Sequence, residues 1–361
     1  MTLETFQFMQ DAPPVLVDWL PWNHTFGGNQ NLGLTIYNGG SLYIDDGAPT
    51  PNGIARTVEN LRDLAPTVYF NVPKGFEELL AYLRCEPELR QRFFSRLEII
   101  FYSGASLAQH VWDGLNELAI ETVGARVPII TGLGSTETAP SSLICGAEVP
   151  GAGIVGLPHP GVELKLVPTA DKLEARLRGP NIMPGYWGEP ALSATAFDEE
   201  GFYQLGDALA FVDESAPQKG FRFDGRVSED FKLATGTWVS VGPLRARVVA
   251  ALAPYIRDVV VAGADKDYLA VILVPDLPAT GQLDDEALRA ALASKLTSLA
   301  ASAGGSSNRV RRAILIDGAL SFDIGEVTDK GSINQRAVLK ARRHLVEALY
   351  AAEAPSDVIA V

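Results

Sequence analysis

The densest chemistry lies in Thr131-Gly-Leu-Gly-Ser-Thr-Glu137. Glycines bring backbone amides close to a ligand, Thr136 supplies a hydroxyl donor, and Glu137 supplies the oxygen that a hard cation prefers. Asp207 closes Gly201-Phe-Tyr-Gln-Leu-Gly-Asp207, and its two oxygens suit a pair of hydroxyls. Asp224-Gly-Arg226 adds a guanidinium. His24 sits in Leu20-Pro-Trp-Asn-His-Thr-Phe-Gly-Gly28. In Tyr102-Ser-Gly-Ala-Ser-Leu107, Gly104 and Ala105 leave space for a substrate to reach the backbone. Each feature alone also fits a structural role. A lone histidine is more often a satisfied core residue, and an aspartate beside a glycine is a common turn residue.

Strands and helices must carry these groups to one place. Val15–Leu20 reads as a strand that enters a loop at Pro21. Two short apolar segments, 34–37 and 41–44, are separated by the turn signal Asn38-Gly39-Gly40. Helical spacing over 53–64 stops before Pro66. Strands follow at 67–71, 97–102 and 127–131, with helices at 75–84, 87–94 and 107–118. This alternation predicts a mainly parallel sheet with ligands at its strand ends. From about residue 150 glycine and proline are dense, and 163–167, 173–178 and 221–226 read as strands of an antiparallel subdomain. A smaller unit begins near 230, with strands near 257–263 and 268–274 and helices near 284–302 and 334–350. The expected fold is α/β: a partial large domain with a parallel sheet and an antiparallel subdomain over 1–226, then a small α+β C-terminal domain over 229–361.

Taken in order, these segments resemble the adenylate-forming (AMP-binding) acyl-CoA synthetases. Residues 131–137 resemble Gly-Tyr-Gly-x-Thr-Glu, with Leu133 in the tyrosine position. Glu174-Ala-Arg-Leu-Arg-Gly-Pro-Asn-Ile-Met-Pro-Gly-Tyr-Trp187 resembles Gly-Glu-Leu-x-x-x-Gly-Pro-x-x-x-x-Gly-Tyr and reads as a structural strand and loop. Residues 201–207 resemble Tyr-x-Thr-Gly-Asp. The resemblance implies activation of a carboxylic acid by ATP to an acyl-AMP, followed by transfer to CoA. It implies catalytic roles for Thr136 and Glu137, with Glu137 as the Mg²⁺ ligand. It implies a nucleotide site of Gly132, Leu133, Gly134, Asp207 and Arg226, with an aliphatic Leu133 face against adenine. His24, Gly104 and Ala105 would serve the acyl pocket, Ser228 the inter-domain hinge, and Gly236 and Trp238 the CoA tunnel. Lys330 is the candidate for the family's C-terminal catalytic lysine, although the usual pattern, Gly-Lys-x-x-x-Arg, has Ser332 in the lysine position here. Three stretches, 17–28, 69–75 and 328–339, look like feruloyl-CoA synthetases of aromatic-acid breakdown, so ferulate or a related hydroxycinnamate is the expected acid.

Bulk properties narrow the classes of partner. The 361 residues are 47% hydrophobic and 20% charged, an ordinary globular composition. A net charge of -14 argues against nucleic acid and anionic lipid as partners. Cys85 and Cys145 have no metal or redox spacing and read as small buried residues. No signal peptide or membrane span is legible, which points to the cytoplasm. The family's glycine-rich phosphate loop belongs upstream of His24, and residues 1–19 contain no glycine. Two other readings therefore stand beside the ligase: a non-catalytic module for AMP, acyl-adenylate or acyl-CoA, and an inert fragment. Sheet edges normally covered by an upstream half favour self-association, with a homodimer as the simplest form. The expected outcome is dimerisation or poor solubility; a monodisperse monomer in sedimentation contradicts it.

Overall fold

The computed structural model describes residues 6, 8–146, 151–169, 172–276, 280, 284–321, 323–328 and 333–361. Unbroken apolar runs mark strands covered on both faces. Three largely buried strands form the parallel part of the main sheet: β3 (Val68–Asn71), β4 (Ile99–Tyr102) and β5 (Ile129–Leu133). Alternation sorts their side chains. Tyr69, Ile100 and Tyr102 pack with Phe76, Leu79, Phe93 and Leu115 from the covering helices. Val68, Phe70, Ile99 and Phe101 turn the other way, towards Leu16, Phe26 and Leu34. The remaining strands of this sheet are β6 (Leu143–Ile144), β7 (Ile154–Pro158), β8 (Glu163–Thr169), β9 (Lys172–Arg178), β10 (Tyr203–Phe211) and β11 (Phe221–Arg226). The nine-stranded order is β3-β4-β5-β6-β7-β11-β10-β9-β8, with antiparallel pairing from β5 through β6 and β7 to β11. A separate parallel pair joins β1 (Val15–Asp18) to β2 (Ser41–Ile44).

The sequence left the element at 34–37 open. Here a π-helix, Phe26–Leu32, runs directly into helix α1, Gly33–Tyr37. The apolar residues Leu34, Ile36 and Tyr37 are too few to reveal a helical period. Helices α2 (Pro51–Asp63), α3 (Pro73–Cys85), α4 (Pro87–Phe94) and α5 (Gln109–Val123) lie close to their expected spans. Each of α2, α3 and α4 opens on a proline, whose fixed φ suits the first turn and whose missing amide costs nothing there. Cys145 is buried as expected, but Cys85, on the last residue of α3, is exposed.

Packing divides the chain into two units. One comprises Met1–Pro168, Leu173–Leu205 and Leu209–Phe223; the other comprises Thr169–Lys172, Gly206–Ala208 and Asp224–Val361. The second unit holds a two-stranded hairpin, β12 (Phe231–Lys232) with β13 (Trp238–Val239), and a four-stranded sheet. That sheet orders β14 (Ile256–Ala262), β15 (Leu269–Pro275), β16 (Val310–Leu315) and β17 (Val358–Ala360). Leu269, Val271 and Leu273 of β15 pack with helices α6 (Val241–Leu252) and α7 (Asp285–Ala301). Ala270, Ile272 and Val274 face α8 (Gln335–Ala341) and α9 (Arg343–Leu349). The expected helix over 334–350 breaks at Arg342, which leaves helical geometry to serve a buried carboxylate.

That carboxylate is Glu326, with no exposed surface. Arg342 Nε donates to its Oε1 at 2.7 Å and Nη2 to its Oε2 at 2.9 Å, while the Ser321 amide donates at 2.9 Å. Arg342 also donates to the carbonyls of Asp317 and Ala319. The Asn334 amide donates to the Glu326 carbonyl, and Val327 bridges Ile333. Residues 329–332, with Lys330 and Ser332, lie outside the described residues. The Arg342 guanidinium holds the Glu326 carboxyl below its ordinary range. The stabilisation is thus full above the ordinary glutamate value and is lost as pH falls through the lowered one. Thermal unfolding should show Glu326→Ala destabilised by roughly 3–5 kcal/mol at neutral pH. Glu326→Gln should lose less of its stability than the wild type on acidification from about pH 5 to about pH 3.

Candidate active site

In the first unit the site grows from the end of β5. Thr131 ties this strand to β4 by donating its hydroxyl to the Tyr102 carbonyl at 2.6 Å. The chain then reverses through Gly134 and Ser135 into a 3-10 turn, Thr136–Thr138. A Cβ on Gly134 would collide with the Pro140 carbonyl oxygen, and one on Gly132 would lie 2.5 Å from that of Leu143. Close return of the chain, rather than approach of a ligand, already demands both glycines. Leu133 is 8% exposed and packs with Leu143, Val155 and Leu177. Its side chain packs into the core beside the turn.

The turn is held from several sides. Thr138 is fully buried, and its Oγ1 accepts from the Ser135 amide at 2.8 Å. The Asn181 side-chain amide donates to the carbonyl of Thr138 and the hydroxyl of Ser142, each at 2.9 Å. The Met183 amide donates to the Glu137 carbonyl. Tyr186 donates its hydroxyl to Glu137 Oε1 at 3.0 Å. Burial opposes the charge on Glu137, but hydrogen bonds from Ser135, from its own amide, and from Tyr186 and Tyr203 outweigh it and hold the carboxyl below its ordinary range. Glu137 is therefore an ionised, half-buried carboxylate beside an exposed Thr136. Sequence reading treated 174–187 as structural and missed Asn181 and Tyr186. The Gly-Pro-Asn and Gly-Tyr pairs were the available signal.

Next to this turn lies a cavity of about 380 Å³. Ala139, Pro140 and Ser141 form one wall, Gln30 and Leu34 another, and Phe101 and His159 close it. Its size and mixed lining suit a small organic ligand. His24, Gly104 and Ala105 do not line it. His24 Nδ1 accepts from the Phe26 amide at 3.1 Å at the start of the π-helix, so it shapes the turn that sends Gln30 and Leu34 to the wall. Gly104 has φ +90 in an exposed turn with Ala105, a backbone conformation that favours glycine whatever binds there.

In the second unit, Asp207 and Arg226 meet. Asp207 is 7% exposed on β10, and Arg226 Nε lies 3.4 Å from its Oδ1 with most of the guanidinium in solvent. Ser228 falls in the 3-10 turn Val227–Glu229. Gly236, at φ +80, closes the β12–β13 turn, and Trp238 on β13 is half-buried. Beside this stretch is an ion pair that sequence reading missed. Lys172 Nζ lies 2.6 Å from Asp230 Oδ2, with both side chains almost wholly buried. Asp230 Oδ1 accepts from the Val241 amide at 2.8 Å, which fixes the start of α6. Gly225 and Gly242 pack backbone to backbone, since a Cβ on Gly242 would lie 2.8 Å from the Gly225 Cα.

The chain belongs to the AMP-binding enzyme family: the family's main model matches residues 2–187, and the AMP-binding enzyme C-terminal domain matches residues 230–354. It is 26% identical over 364 residues to a carboxylic acid reductase of Segniliparus rugosus, covering 94% of this chain and 29% of that protein. It is 28% identical over 188 residues to a feruloyl-CoA synthase of Amycolatopsis sp, covering 50% of this chain and 35% of that protein. The crystal structure of the adenylation domain of a Mycobacterium chelonae carboxylate reductase superposes with a TM-score of 0.69 at 23% identity, covering 94% of this chain and 54% of that one. The fold is the α/β fold of adenylation domains, with a large sheet and a smaller C-terminal unit. The chain spans under a third of the length of the reductase it matches. The expected kinship with feruloyl-CoA synthetases thus reduces to the wider family, because the reductase match is nearly twice as long as the synthase match. Among the described residues no helix is long and apolar enough to cross a membrane.

Breaking a buried ion pair leaves one charge stranded. Lys172→Met and Asp230→Asn should each lower stability by roughly 3–5 kcal/mol in chemical unfolding, and the double variant should cost less than the sum of the two.

Proposed function

We propose that the chain carries the adenylate-binding machinery of an acid-activating ligase. A carboxylate would attack the α-phosphorus of ATP, forming acyl-AMP and expelling pyrophosphate, and CoA would then displace AMP as the thioester. The observation that carries this reading is the ionised Glu137 carboxylate, held by the Tyr186 hydroxyl at 3.0 Å beside the exposed Thr136. Phosphoryl chemistry of this kind needs a cation and oriented donors.

Among the described residues no three His, Cys, Asp or Glu side chains cluster to cage a metal. A single ionised carboxylate still suits Mg²⁺, which is usually held by one or two carboxylates together with substrate phosphates and water. Bound Mg²⁺ supplies charge neutralisation at the phosphate. Glu137 would hold it, and Thr136 would donate to the α-phosphate. Asp207 would accept from the ribose hydroxyls, with Arg226 beside it. The cavity at Ser141 and His159 would take the body of the acid. Gly236 and Trp238 would serve CoA, Ser228 the hinge, and Lys330 the acid carboxylate. An aromatic acid such as ferulate is supported by the stretches 17–28, 69–75 and 328–339 and by the synthase relative over half the chain.

Calorimetry with a non-hydrolysable feruloyl-adenylate analogue tests the site, and absorbance of feruloyl-CoA formed from ferulate, ATP, Mg²⁺ and CoA tests the reaction. Asp207→Ala should weaken analogue binding by ~10–100-fold, the cost of losing hydrogen bonds to a charged group. Glu137→Gln should abolish turnover while leaving analogue binding near the wild-type value. Binding without turnover in the wild type identifies a non-catalytic adenylate-binding module. No binding overturns the proposal.

A further inference from the structure

The cavity beside the Glu137 turn has an apolar wall and a polar end. Phe6, Met9, Leu34 and Phe101 come from one buried apolar cluster, with Ile144 packed against it, and all five line the cavity. Among the described residues no lysine or arginine lines it. A ligand carboxylate placed there would be buried without a counter-charge, which is costly.

At the polar end Ser141 and His159 stand side by side. Ser141 lies on the chain returning from the 3-10 turn, and His159 directly follows β7, which pairs with β6. The His159 amide donates to the Ser142 carbonyl at 2.9 Å, and this bond sets the two side chains against each other. His159 is 4% exposed, whereas Ser141 is half-buried. Ser141 Oγ lies 3.1 Å from the Leu143 carbonyl oxygen and 3.1 Å from His159 Nε2. A serine hydroxyl has one proton and two lone pairs. A carbonyl can only accept, so the serine proton goes to Leu143. The histidine contact is then satisfied only when Nε2 carries a proton and donates it to Oγ. These two contacts use the proton and one lone pair, and a second lone pair is left. Ser141 therefore presents to the cavity a hydroxyl that can accept a hydrogen bond but has none to give. Asn29, Gln30, Tyr37 and Asn38 also line the cavity, but each of these side chains can either donate or accept.

We propose that Ser141 is a specificity-determining residue that selects acids with an uncharged body bearing a hydrogen-bond donor, such as a ring hydroxyl on an aromatic acid. His159 is a positioning residue. It acts through Ser141 by fixing the direction of the serine hydroxyl. This selection rests on the cavity taking the body of the acid, as proposed above. A site built to bond a hydroxyl rejects the analogue that lacks one, because its own polar group is then left unpaired. Methylating the ligand hydroxyl removes the proton that Ser141 needs and carries a similar penalty.

Calorimetry on the full chain compares non-hydrolysable adenylate analogues of cinnamic acid and of its hydroxy, methoxy and carboxy derivatives at ring positions 3 and 4. One hydroxy analogue should bind ~10-fold tighter than the cinnamoyl analogue and than its own methyl ether. The carboxy analogues should bind weakest. Ser141→Ala should bring the hydroxy-to-cinnamoyl ratio close to one. His159→Gln, whose amide can still donate to Oγ, should keep more of that ratio than His159→Leu. Asp207→Ala should weaken all the analogues in parallel and preserve the ratio, which separates this pocket from the proposed ribose contact. Equal binding of all analogues to the wild type, or a ratio that survives Ser141→Ala, overturns the selection by Ser141 alone. Carboxy analogues that bind as tightly as the hydroxy ones overturn it as well. Binding of no analogue overturns the acid pocket together with it.

Discussion

After β5 the chain must fold back on itself with no room for a side chain at Gly134, and the rest of the site depends on that reversal. The carbonyl of Pro140 occupies the space a Cβ would need. Because the return is so tight, Thr136 and Glu137 project from a single 3-10 turn, while Ala139, Pro140 and Ser141 become a cavity wall. The returning chain pairs at once with β5 through β6, converting a parallel sheet into an antiparallel one. Asn181 then satisfies carbonyls that such a tight turn leaves outside any ladder. A larger residue at position 134 would disturb the carboxylate, the cavity wall and the sheet transition together.

How legible this was depends on how local the constraint is. β3 and β4 could be read directly because residues buried on both faces are apolar without interruption. Helices α2, α3 and α4 were legible as helices, although α2 and α3 were read as starting two residues inside their opening prolines. The α1 segment was missed, since five residues cannot display a helical period. β10 was missed because Gly206 sits inside it at φ +77 and made Asp207 look like a turn residue. β16 and β17 escaped because their burial is set by pairing with strands far away in the chain. The residues that fix Glu137 were hidden for the same reason: Tyr186 is 49 positions away.

Buried charge is handled in three different ways. Glu326 is met by a bidentate guanidinium and a backbone amide, so its ionisation is favoured. Lys172 and Asp230 share one another, with the α6 amide as a further donor. Asp18 accepts hydrogen bonds from the Leu20 amide and the Asn31 side chain, but burial outweighs both and, with the Asp45 charge, raises it to about 6. The first two arrangements fix a fold locally, because losing either partner strands the other. The third has no cationic partner among the described residues, so burial disfavours its charge.

Class and substrate are written into the chain in different ways. Gly134, Thr138 and Asn181 serve backbone geometry, and any replacement meets a carbonyl or leaves one unpaired. Of these, Gly134 lies in the short string from which the family resemblance was read, whereas Asn181 was missed. The cavity wall is assembled from Gln30, Leu34, Phe101, Ser141 and His159, which come from separate elements and share no spacing rule. His159 illustrates the difference. It lies 3.1 Å from the Ser141 hydroxyl, a partner 18 positions away, and neither residue attracted attention in the sequence. Side chains there can vary without disturbing the turn that holds Glu137, because that turn is fixed by backbone carbonyls and by Tyr186.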